Sequence, residues 1–413
     1  MSAPALLALS VLLWATVAEA TTREIGPEAN FCAEVNALTP GRELVLRPGD
    51  YRGPCTISTG GTLETPIVVR AKDLTTRPRL VYTGTRDNVL NIEASDVTLR
   101  GLVFGPTAEG VDGVKIKRGD RVLIEECLFD RVGGISISAN ATSSQGITVR
   151  RNEFANPRTT ALYFGCHDGI HCAATGLLIE GNYIHSVDAR EDEIGYGLQV
   201  KLNSTAIIRD NVIVDTKGPG IMVYGSTELT RASLIERNAV FGSRTSGAIV
   251  VGGGPAIIRN NLAAGSREGG IWILDYRRRG LLRGIQVLHN TVYNNTRGGI
   301  VPTNLRGDHE VLLMNNAVHA PPGILAIPPA FHASHFGNVA CVQASCFVQP
   351  EHRDFSPSAG SPLLSYGRMA DGISMPKDDF FGIPRGVRPT VGAFEKGAGV
   401  VSLGFKPAIT PNH

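Results

Sequence analysis

Two interleaved repeats and a glycine-rich, aromatic-poor composition predict an all-β, single-domain fold, a parallel β-helix of about ten coils. The chain has 413 residues, of which 48 are glycine, and only 6% are aromatic. This composition favours many short strands joined by tight turns over a helical bundle. The two repeats predict how those strands are stacked.

The first repeat reads apolar, any, apolar, any, any, Asn, any, apolar. The recurring asparagines are Asn152, Asn182, Asn211, Asn238, Asn261, Asn290 and Asn316. They follow one another at intervals of 23 to 30 residues, and two earlier copies have Leu102 and Cys127 at this position. Side-chain amides that stack at a turn can hydrogen-bond from one coil to the next. We therefore expect an asparagine ladder along the molecule.

The second repeat reads glycine, apolar, any, apolar, as in GVKI at 113, GLQV at 197 and GIMV at 220. Each such strand alternates with period two and is too short to bury itself alone. Stacking the copies supplies hydrogen bonds on both sides of every strand and one continuous apolar core. A leucine-rich repeat has a similar length, but its L-x-x-L-x-L-x-x-N frame is missing.

The alternation also predicts which side chains point away from the core. One outward row is Lys115, Ser136, Tyr163, Gln199, Met222, Ile249 and Trp272. The next is Lys117, Ser138, Gly165, Lys201, Tyr224, Val251 and Leu274. Neighbouring strands lie about 4.8 Å apart, so we expect Lys201 beside Tyr224, with Tyr163 and Gln199 close by.

Residues 1–20 are typical of a secretory signal peptide. The apolar run at 5–17 ends in the cleavage pattern A-E-A at 18–20 and is short for a membrane span. We expect a secreted or periplasmic monomer with no membrane span after cleavage. The formal net charge is only +2 and no basic run is interleaved with aromatics, so nucleic acid is not an expected partner.

The rest of the chain divides into three parts. Residues 21–60 are expected to form an N-terminal cap and the first strands, residues 61–345 the β-helix, and residues 346–413 a closing segment. Terminal coils of a repeat protein need capping, and we expect a helical cap within residues 31–45.

Seven cysteines fit an oxidising compartment. By proximity in sequence, the predicted disulfides are Cys32–Cys55, Cys166–Cys172 and Cys341–Cys346. Cys127 lies within an apolar strand and is expected to be a buried free thiol.

The repeat is interrupted between Ala161 and Gly197, which are 36 residues apart, whereas the next strand follows after 23. The extra residues form a histidine loop (residues 165–172) and an acidic loop (residues 186–196). Insertions on a repeat fold commonly carry function. Both loops flank the strand that leads to Lys201.

These loops and outward rows together suggest a polysaccharide site. We expect Lys201 as a catalytic base and Tyr224 as the proton donor, because a lysine with a lowered pKa can abstract a proton. The expected substrate-binding residues are Tyr163, His167, His171, Gln199, Trp272, Arg277 and Arg278. Trp272 offers a platform for a sugar ring, and the arginine loop (residues 275–283) offers cations for carboxylate or sulfate groups.

The acidic loop has two interpretations. Glu191, Asp192 and Glu193 could hold Ca²⁺, which prefers several oxygen ligands, or contact the substrate directly.

The repeat, together with DFSPSAGSPLLSYG and GIPRGVRPTVGAFE near the C-terminus, resembles secreted, right-handed, pectate-lyase-like parallel β-helix proteins over residues 30–395. Within that superfamily the candidate site is similar to polysaccharide lyases of the chondroitinase B and alginate lyase type. The resemblance implies a lysine base at a strand end, an arginine on the following coil and calcium bound by nearby acids. Lys201 matches the lysine, but Tyr224 stands where those enzymes have the arginine.

A polysaccharide lyase acting on a uronic-acid-containing polymer is therefore the favoured function. One alternative is a glycoside hydrolase that pairs Asp168 with Asp188 or Asp192. A uronate epimerase is another, although the DPHD-type motif of such enzymes is missing. A third is a non-catalytic polysaccharide-binding or surface structural protein, because fold alone does not determine function.

Overall fold

The chain folds as a parallel β-helix built from three long sheets. The computed structural model describes residues 22–324, 326–327 and 333–406, so the predicted signal peptide lies outside the described part. From Glu43 to Thr303 the coils contribute one strand to the first sheet, then one to the second and one to the third, and every pairing within these sheets is parallel. Within the described residues the sheets contain 13, 12 and 10 strands, which confirms the all-β prediction of about ten coils.

The strand bounds follow the sequence repeats. The first sheet comprises Thr22–Ile25, Glu43–Leu46, Ile67–Ala71, Val97–Arg100, Leu123–Glu125, Thr148–Arg150, Leu177–Glu180, Ala206–Arg209, Ser233–Glu236, Ala256–Arg259, Ile285–Leu288, Val311–Met314 and Ala333–Phe336. The second comprises Asp50–Arg52, Arg79–Val81, Val103–Phe104, Leu128–Asp130, Glu153–Ala155, Tyr183–Val187, Val212–Thr216, Ala239–Ser243, Leu262–Ala264, Thr291–Tyr293, Ala317–His319 and Val339–Ala340. The third comprises Cys55–Ile57, Leu90–Ile92, Val114–Ile116, Ile137–Ala139, Leu162–Phe164, Leu198–Val200, Ile221–Val223, Ile249–Val251, Ile271–Leu274 and Ile300–Thr303.

A few short elements lie outside the three sheets. Two small sheets pair Ser144–Gln145 with Ala174–Thr175 and Phe347–Gln349 with Asp354–Pro357. Single turns of 3₁₀-helix occur at Tyr276–Arg278, Ala344–Cys346 and Pro350–His352. The α-helix Phe31–Asn36 is the N-terminal cap that the sequence predicts, and it buries Phe31 and Val35 over the first coils.

The asparagine ladder is confirmed and explains the turn between the first and second sheets. All seven predicted asparagines are fully buried, and each side-chain amide bonds to the next, as where Asn211 Nδ2 donates to Asn238 Oδ1 at 2.9 Å. Asn338 extends the ladder at one end, and Cys127 begins it at the other by donating its backbone N–H to Asn152 Oδ1 at 2.9 Å.

The residue before each ladder asparagine has a positive φ, for example 58° at Asp210 and 53° at Arg237. A non-glycine residue in this conformation costs about 1–2 kcal/mol. The buried amide bonds of the ladder offset that cost and hold the bend at the same point of every coil.

The predicted disulfides are confirmed. Cys32–Cys55 ties the helical cap to the third sheet, Cys166–Cys172 closes the histidine loop, and Cys341–Cys346 lies at the last coil, while Cys127 is a buried free thiol. The closing segment folds back along the outside of the second sheet, where Phe355, Phe380 and Phe394 pack on outward side chains such as Leu262.

The predicted outward rows are correct over most of the third sheet and wrong at two strands. Tyr163 pairs with Gln199, and Gln199 with Met222, as expected. However, Lys115 pairs with Ser138 rather than Ser136, and Met222 pairs with Val250 rather than Ile249. The segments before these strands have extra residues. The offset at Ser136 is two residues, which keeps the face of the sheet, whereas the offset at Ile249 is one residue, which moves the side chain to the other face. Ile249 is therefore fully buried in the core.

Candidate active site

A cleft of about 460 Å³ lies on the outer face of the third sheet, below the acidic and arginine loops. Its floor consists of residues from three successive strands and the turns after them, notably Tyr163, Gln199, Lys201 and Tyr224. The parallel pairing places these side chains side by side, as the sequence predicts. Because the loops fold over the sheet, the floor is covered rather than exposed.

Lys201 is the unusual residue of this floor. It directly follows the strand Leu198–Val200 and is only 5% exposed. The ammonium Nζ lies 4.1 Å from the centre of the Tyr224 ring and 5.4 Å from that of Tyr163. Among the described residues it makes no hydrogen bond and no ion pair. Burial, together with the positive charges of Arg277 and Arg279, lowers the pKa of Lys201 to about 8.

Two tyrosines border the ammonium in different ways. The Tyr224 hydroxyl is buried and lies 3.1 Å from the hydroxyl of Tyr196, and the Tyr276 ring packs edge-on against the Tyr224 ring. The Tyr163 hydroxyl instead lies 3.4 Å from His167 Nδ1 at the side of the cleft. Burial raises the pKa of Tyr163 to about 12 and raises that of Tyr224 further, so both hydroxyls keep their protons at neutral pH.

The arginine loop forms one end of the cleft. Asp275, which is nearly fully buried, accepts a hydrogen bond from the Gly280 N–H at 2.9 Å and so holds the turn between them. Arg277 and Arg279 stand 5.6 and 5.5 Å from the Tyr276 ring centre, and both border Lys201. Their guanidinium groups are placed to bind an anionic group close to the ammonium.

The acidic loop forms a side wall through Arg190, Asp192, Glu193 and Ile194. Arg190 forms ion pairs with Glu193 at 3.3 Å and, across the cleft entrance, with Glu109. It also lies 3.8 Å from Asp192.

This arrangement does not fit the calcium site suggested by the sequence. Asp192 and Glu193 face the Arg190 guanidinium, and Glu191 does not line the cleft. In the part of the chain that the structure describes, no group of three or more His, Cys, Asp or Glu side chains is arranged to hold a metal ion.

Three predicted substrate contacts do not line the cleft. The His171 side chain is 82% exposed and bonds to Asp168, and Arg278 is exposed and does not line the cleft. Trp272 packs at the margin, where its indole N–H donates to Thr303 Oγ1 at 2.9 Å. Asp168 holds the histidine loop together by accepting hydrogen bonds from the Ile170 N–H and the His171 side chain. These bonds hold the pKa of Asp168 well below its usual range.

The structure adds lining residues that the sequence did not indicate. Asp112, Tyr196 and Tyr276 all face the cleft. Asp112 Oδ1 accepts a hydrogen bond from the Ile135 N–H at 2.8 Å, Oδ2 accepts one from Ser138, and burial raises its pKa. Tyr196 could have been predicted to face the cleft, because it ends the longest insertion and directly precedes the strand glycine Gly197.

A larger cavity of about 680 Å³ lies between the closing segment and the edge of the first sheet. Four of its five cations are neutralised: Arg151, Arg209 and Arg237 bind Glu125, Glu180 and Asp210, and Lys406 also binds Asp210. The fifth, Arg77, donates to the Leu74 carbonyl at 3.1 Å. The smaller cleft is the better candidate, because its cation without a counter-ion, Lys201, is buried.

The coiled architecture and the outward cleft define a solenoid of the parallel β-helix class. The chain belongs to the right-handed β-helix family, whose defining region matches residues 85–244 and 168–327, together more than half of the sequence. A comparison with curated protein sequences finds no match. Within the described residues no helix has the length and apolar character needed to cross a bilayer.

Several solved structures share the fold. The pectate lyase Pel9A has a TM-score of 0.55 and 16% identity, with 92% of this chain and 98% of that enzyme covered. The mannuronan C-5 epimerase AlgE6 A-module of Azotobacter vinelandii has 0.51 and 14%, with 73% and 91% covered. The catalytic unit of a GH87 α-1,3-glucanase from Streptomyces thermodiastaticus has 0.53 and 14%, with 79% and 69% covered. These enzymes catalyse different reactions, so the likeness establishes the fold and not the activity.

Proposed function

We propose that the protein is a secreted carbohydrate-active enzyme, a polysaccharide lyase that cleaves a uronic-acid-containing polymer by β-elimination. One observation carries the proposal: a buried lysine without a carboxylate partner, with a pKa lowered to about 8, lies on the floor of a cleft. A buried ammonium that is paired with a carboxylate would be a structural ion pair. An unpaired one with a lowered pKa is suited to proton transfer.

The reaction needs a base, a cation and an acid. Neutral Lys201 removes the proton from the sugar carbon that bears the carboxylate, and Arg277 binds that carboxylate and stabilises the negative charge that develops. The electron pair forms a carbon–carbon double bond, the glycosidic oxygen on the adjacent carbon leaves, and an acid protonates it. The products are an unsaturated uronate end and a new hydroxyl end.

Two tyrosines are available as the acid. The sequence favours Tyr224, whose ring lies 4.1 Å from the Lys201 ammonium. Tyr163 has the more accessible hydroxyl, because that of Tyr224 is engaged with Tyr196 in the covered part of the floor. We propose Tyr163 as the donor and Tyr224 as the residue that holds the ammonium.

Glycoside hydrolysis has weaker support because the carboxylates suggested for it are engaged elsewhere. Asp168 bonds to His171, Asp188 lies 3.2 Å from Arg158, and Asp192 faces Arg190. An epimerase would use the same first proton transfer and return a proton to the opposite face of the sugar, so the assay has to separate these two reactions.

The test uses purified protein and a panel of uronate polymers: pectate, alginate, and iduronate- and glucuronate-containing glycosaminoglycans. Ultraviolet absorbance of unsaturated uronate ends is expected with at least one polymer. New reducing ends without that absorbance would show that the protein is a hydrolase rather than a lyase. A changed epimer ratio in the proton NMR spectrum of an uncleaved polymer would identify an epimerase, and retardation on an affinity gel without chemistry would identify a binding protein.

A further inference from the structure

Lys217 lies behind the acidic loop and binds its backbone. Its ammonium donates to the carbonyl oxygens of Arg190, Glu191 and Glu193, the last two at 3.0 and 2.7 Å. Among the described residues no carboxylate lies within ion-pair distance of it. An ammonium has three donors, and all three are used on the backbone of one loop.

Two backbone hydrogen bonds place the acidic loop beside Lys217. Lys217 directly follows the strand Val212–Thr216, and its own N–H donates to the Val187 carbonyl at 3.1 Å, where the acidic loop begins. The next N–H, of Gly218, donates to Gly195 at the other end of the loop at 2.9 Å. The loop is therefore pinned at both ends to the coil that carries the lysine.

Gly195 shows how closely the loop approaches Lys217. Its φ is +74°, in the left-handed region, and a Cβ there would lie 2.7 Å from Ala189 Cβ and 2.9 Å from Lys217 Cβ. Only glycine meets both the conformation and the space at this position.

The consequence for the cleft is direct. Two of the three residues whose carbonyls bind Lys217 also contribute side chains to the cleft wall: Arg190 forms an ion pair with Glu109, and Glu193 lines the cleft. Releasing the carbonyls would free both side chains. Lys217 itself does not line the cleft, so it acts on the site only through this loop.

We propose that Lys217 is the built-in cation of the acidic loop, a positioning residue that orders residues 190–193 in the manner of a bound metal ion. Carbonyl oxygens that converge on one positive charge are the ligands that a hard cation takes, and here the lysine ammonium occupies their focus. The loop is thus ordered without Ca²⁺. The order of the loop is a property of the chain itself, and only its effect on catalysis rests on the proposed function.

Amide hydrogen exchange of residues 188–196 tests the proposal without any substrate. Lys217→Met keeps the length of the side chain and removes the charge, and the segment is expected to exchange at least about tenfold faster, since three charge-assisted hydrogen bonds are lost. Lys72→Met, which removes a surface lysine that pairs with Glu24, is the matched control and should leave the segment unchanged. Unchanged exchange in Lys217→Met would overturn the proposal.

Metal dependence provides a second arm that needs no variant. The wild-type segment should exchange at the same rate in EDTA and in millimolar Ca²⁺. Protection that is lost in EDTA and restored by Ca²⁺ would assign the loop cation to a metal and overturn the proposal, even if Lys217→Met failed to fold. Where a cleaved polymer is found, Lys217→Met should raise KM about tenfold with a smaller change in kcat. If no polymer is cleaved, the proposed function fails and the exchange results still decide the role of Lys217.

Discussion

The Lys201 ammonium lies 4.1 Å above the centre of the Tyr224 ring, and no carboxylate of the described residues pairs with it. The ring face attracts the cation without neutralising it, an interaction that grows to about 2 kcal/mol when water is excluded. Burial and the two arginines Arg277 and Arg279 act in the opposite direction by disfavouring the charge. The lysine is therefore held in place while its pKa is lowered, which is what a general base requires.

Replacing Lys201 with methionine should abolish β-elimination without harming the fold. Loss of a general base typically lowers the rate by about 10²- to 10⁴-fold. The protein should be at least as stable, because a pKa lowered from 10.5 to about 8 means that the buried charge costs on the order of 3 kcal/mol at neutral pH, as an upper bound. Initial rates and thermal unfolding measure the two effects.

Lys117→Met is the control for this experiment. Lys117 lies on the same side of the molecule but is more exposed and is 3.7 Å from Glu93. Its loss should leave the rate close to wild type. Full activity in Lys201→Met would remove Lys201 from the mechanism.

The activity should rise with pH until it levels off near pH 8. Only the neutral lysine accepts a proton, so kcat/KM is expected to rise about tenfold per pH unit below the pKa of about 8. The stability of the fold also depends on the titration of Lys201. Below pH 8 the lysine is protonated in both the folded and the unfolded state, so the full cost of its buried charge is present. Between pH 8 and 10.5 the unfolded chain binds more protons, so the contribution of Lys201 to stability rises with pH. A rate that falls between pH 6 and 8 would contradict the assignment.

Arg277 and Arg278 are neighbours that should behave differently. Arg277 lines the cleft and Arg278 does not. Arg277→Gln removes a charge-assisted contact to the substrate carboxylate and should lower kcat/KM about 10- to 100-fold. The substitution should also raise the pKa of Lys201, because a nearby positive charge is lost, and so shift the rise in activity to higher pH. Arg278→Gln should change neither quantity, and equal losses in the two variants would argue against a specific carboxylate contact.

The proton donor can be assigned by comparing Tyr163→Phe with Tyr224→Phe. If Tyr163 protonates the leaving oxygen, Tyr163→Phe should lower kcat about 10²-fold or more. Tyr224→Phe keeps the ring under the ammonium and should have the smaller effect, through its lost bond to the Tyr196 hydroxyl. The reverse order would return the role to Tyr224, as the sequence alone suggested.

The sequence predicted the coil well because each coil repeats the same local chemistry. Asn211 marks a turn, Leu198 and Val200 mark inward positions, and Lys201 follows in the outward direction at the strand end. Its pairing with Tyr224 came directly from strand stacking. The predicted pairing of Met222 with Ile249 was wrong because the segment before this strand has one extra residue. The apolar pattern does not reveal whether that residue lies before or after Gly247.

The covered state of the site was not predictable in this way. Gln199 and Tyr224 are outward on the sheet and yet nearly fully buried, because the acidic and arginine loops fold back over them. The contact that holds the acidic loop joins Lys217 to backbone carbonyls 24 to 27 residues away. Backbone acceptors carry no side-chain signature, so the acidic residues of that loop suggested a metal site instead.

The asparagine ladder gives a stability prediction that is independent of function. Asn211 Oδ1 accepts from the backbone and side-chain N–H groups of Asn182 at 3.0 and 2.9 Å, and its Nδ2 donates to Asn238 Oδ1 at 2.9 Å. Asn211→Ala leaves these buried groups unpaired and opens a cavity, which should lower the free energy of unfolding by about 2–4 kcal/mol. Asn338→Ala, at the half-buried end of the ladder, should cost less than half as much, because water can reach its partners in the Asn316 amide. Urea unfolding midpoints of the two variants measure the difference, and equal losses at the two positions would show that burial of the ladder does not set the cost of losing an amide.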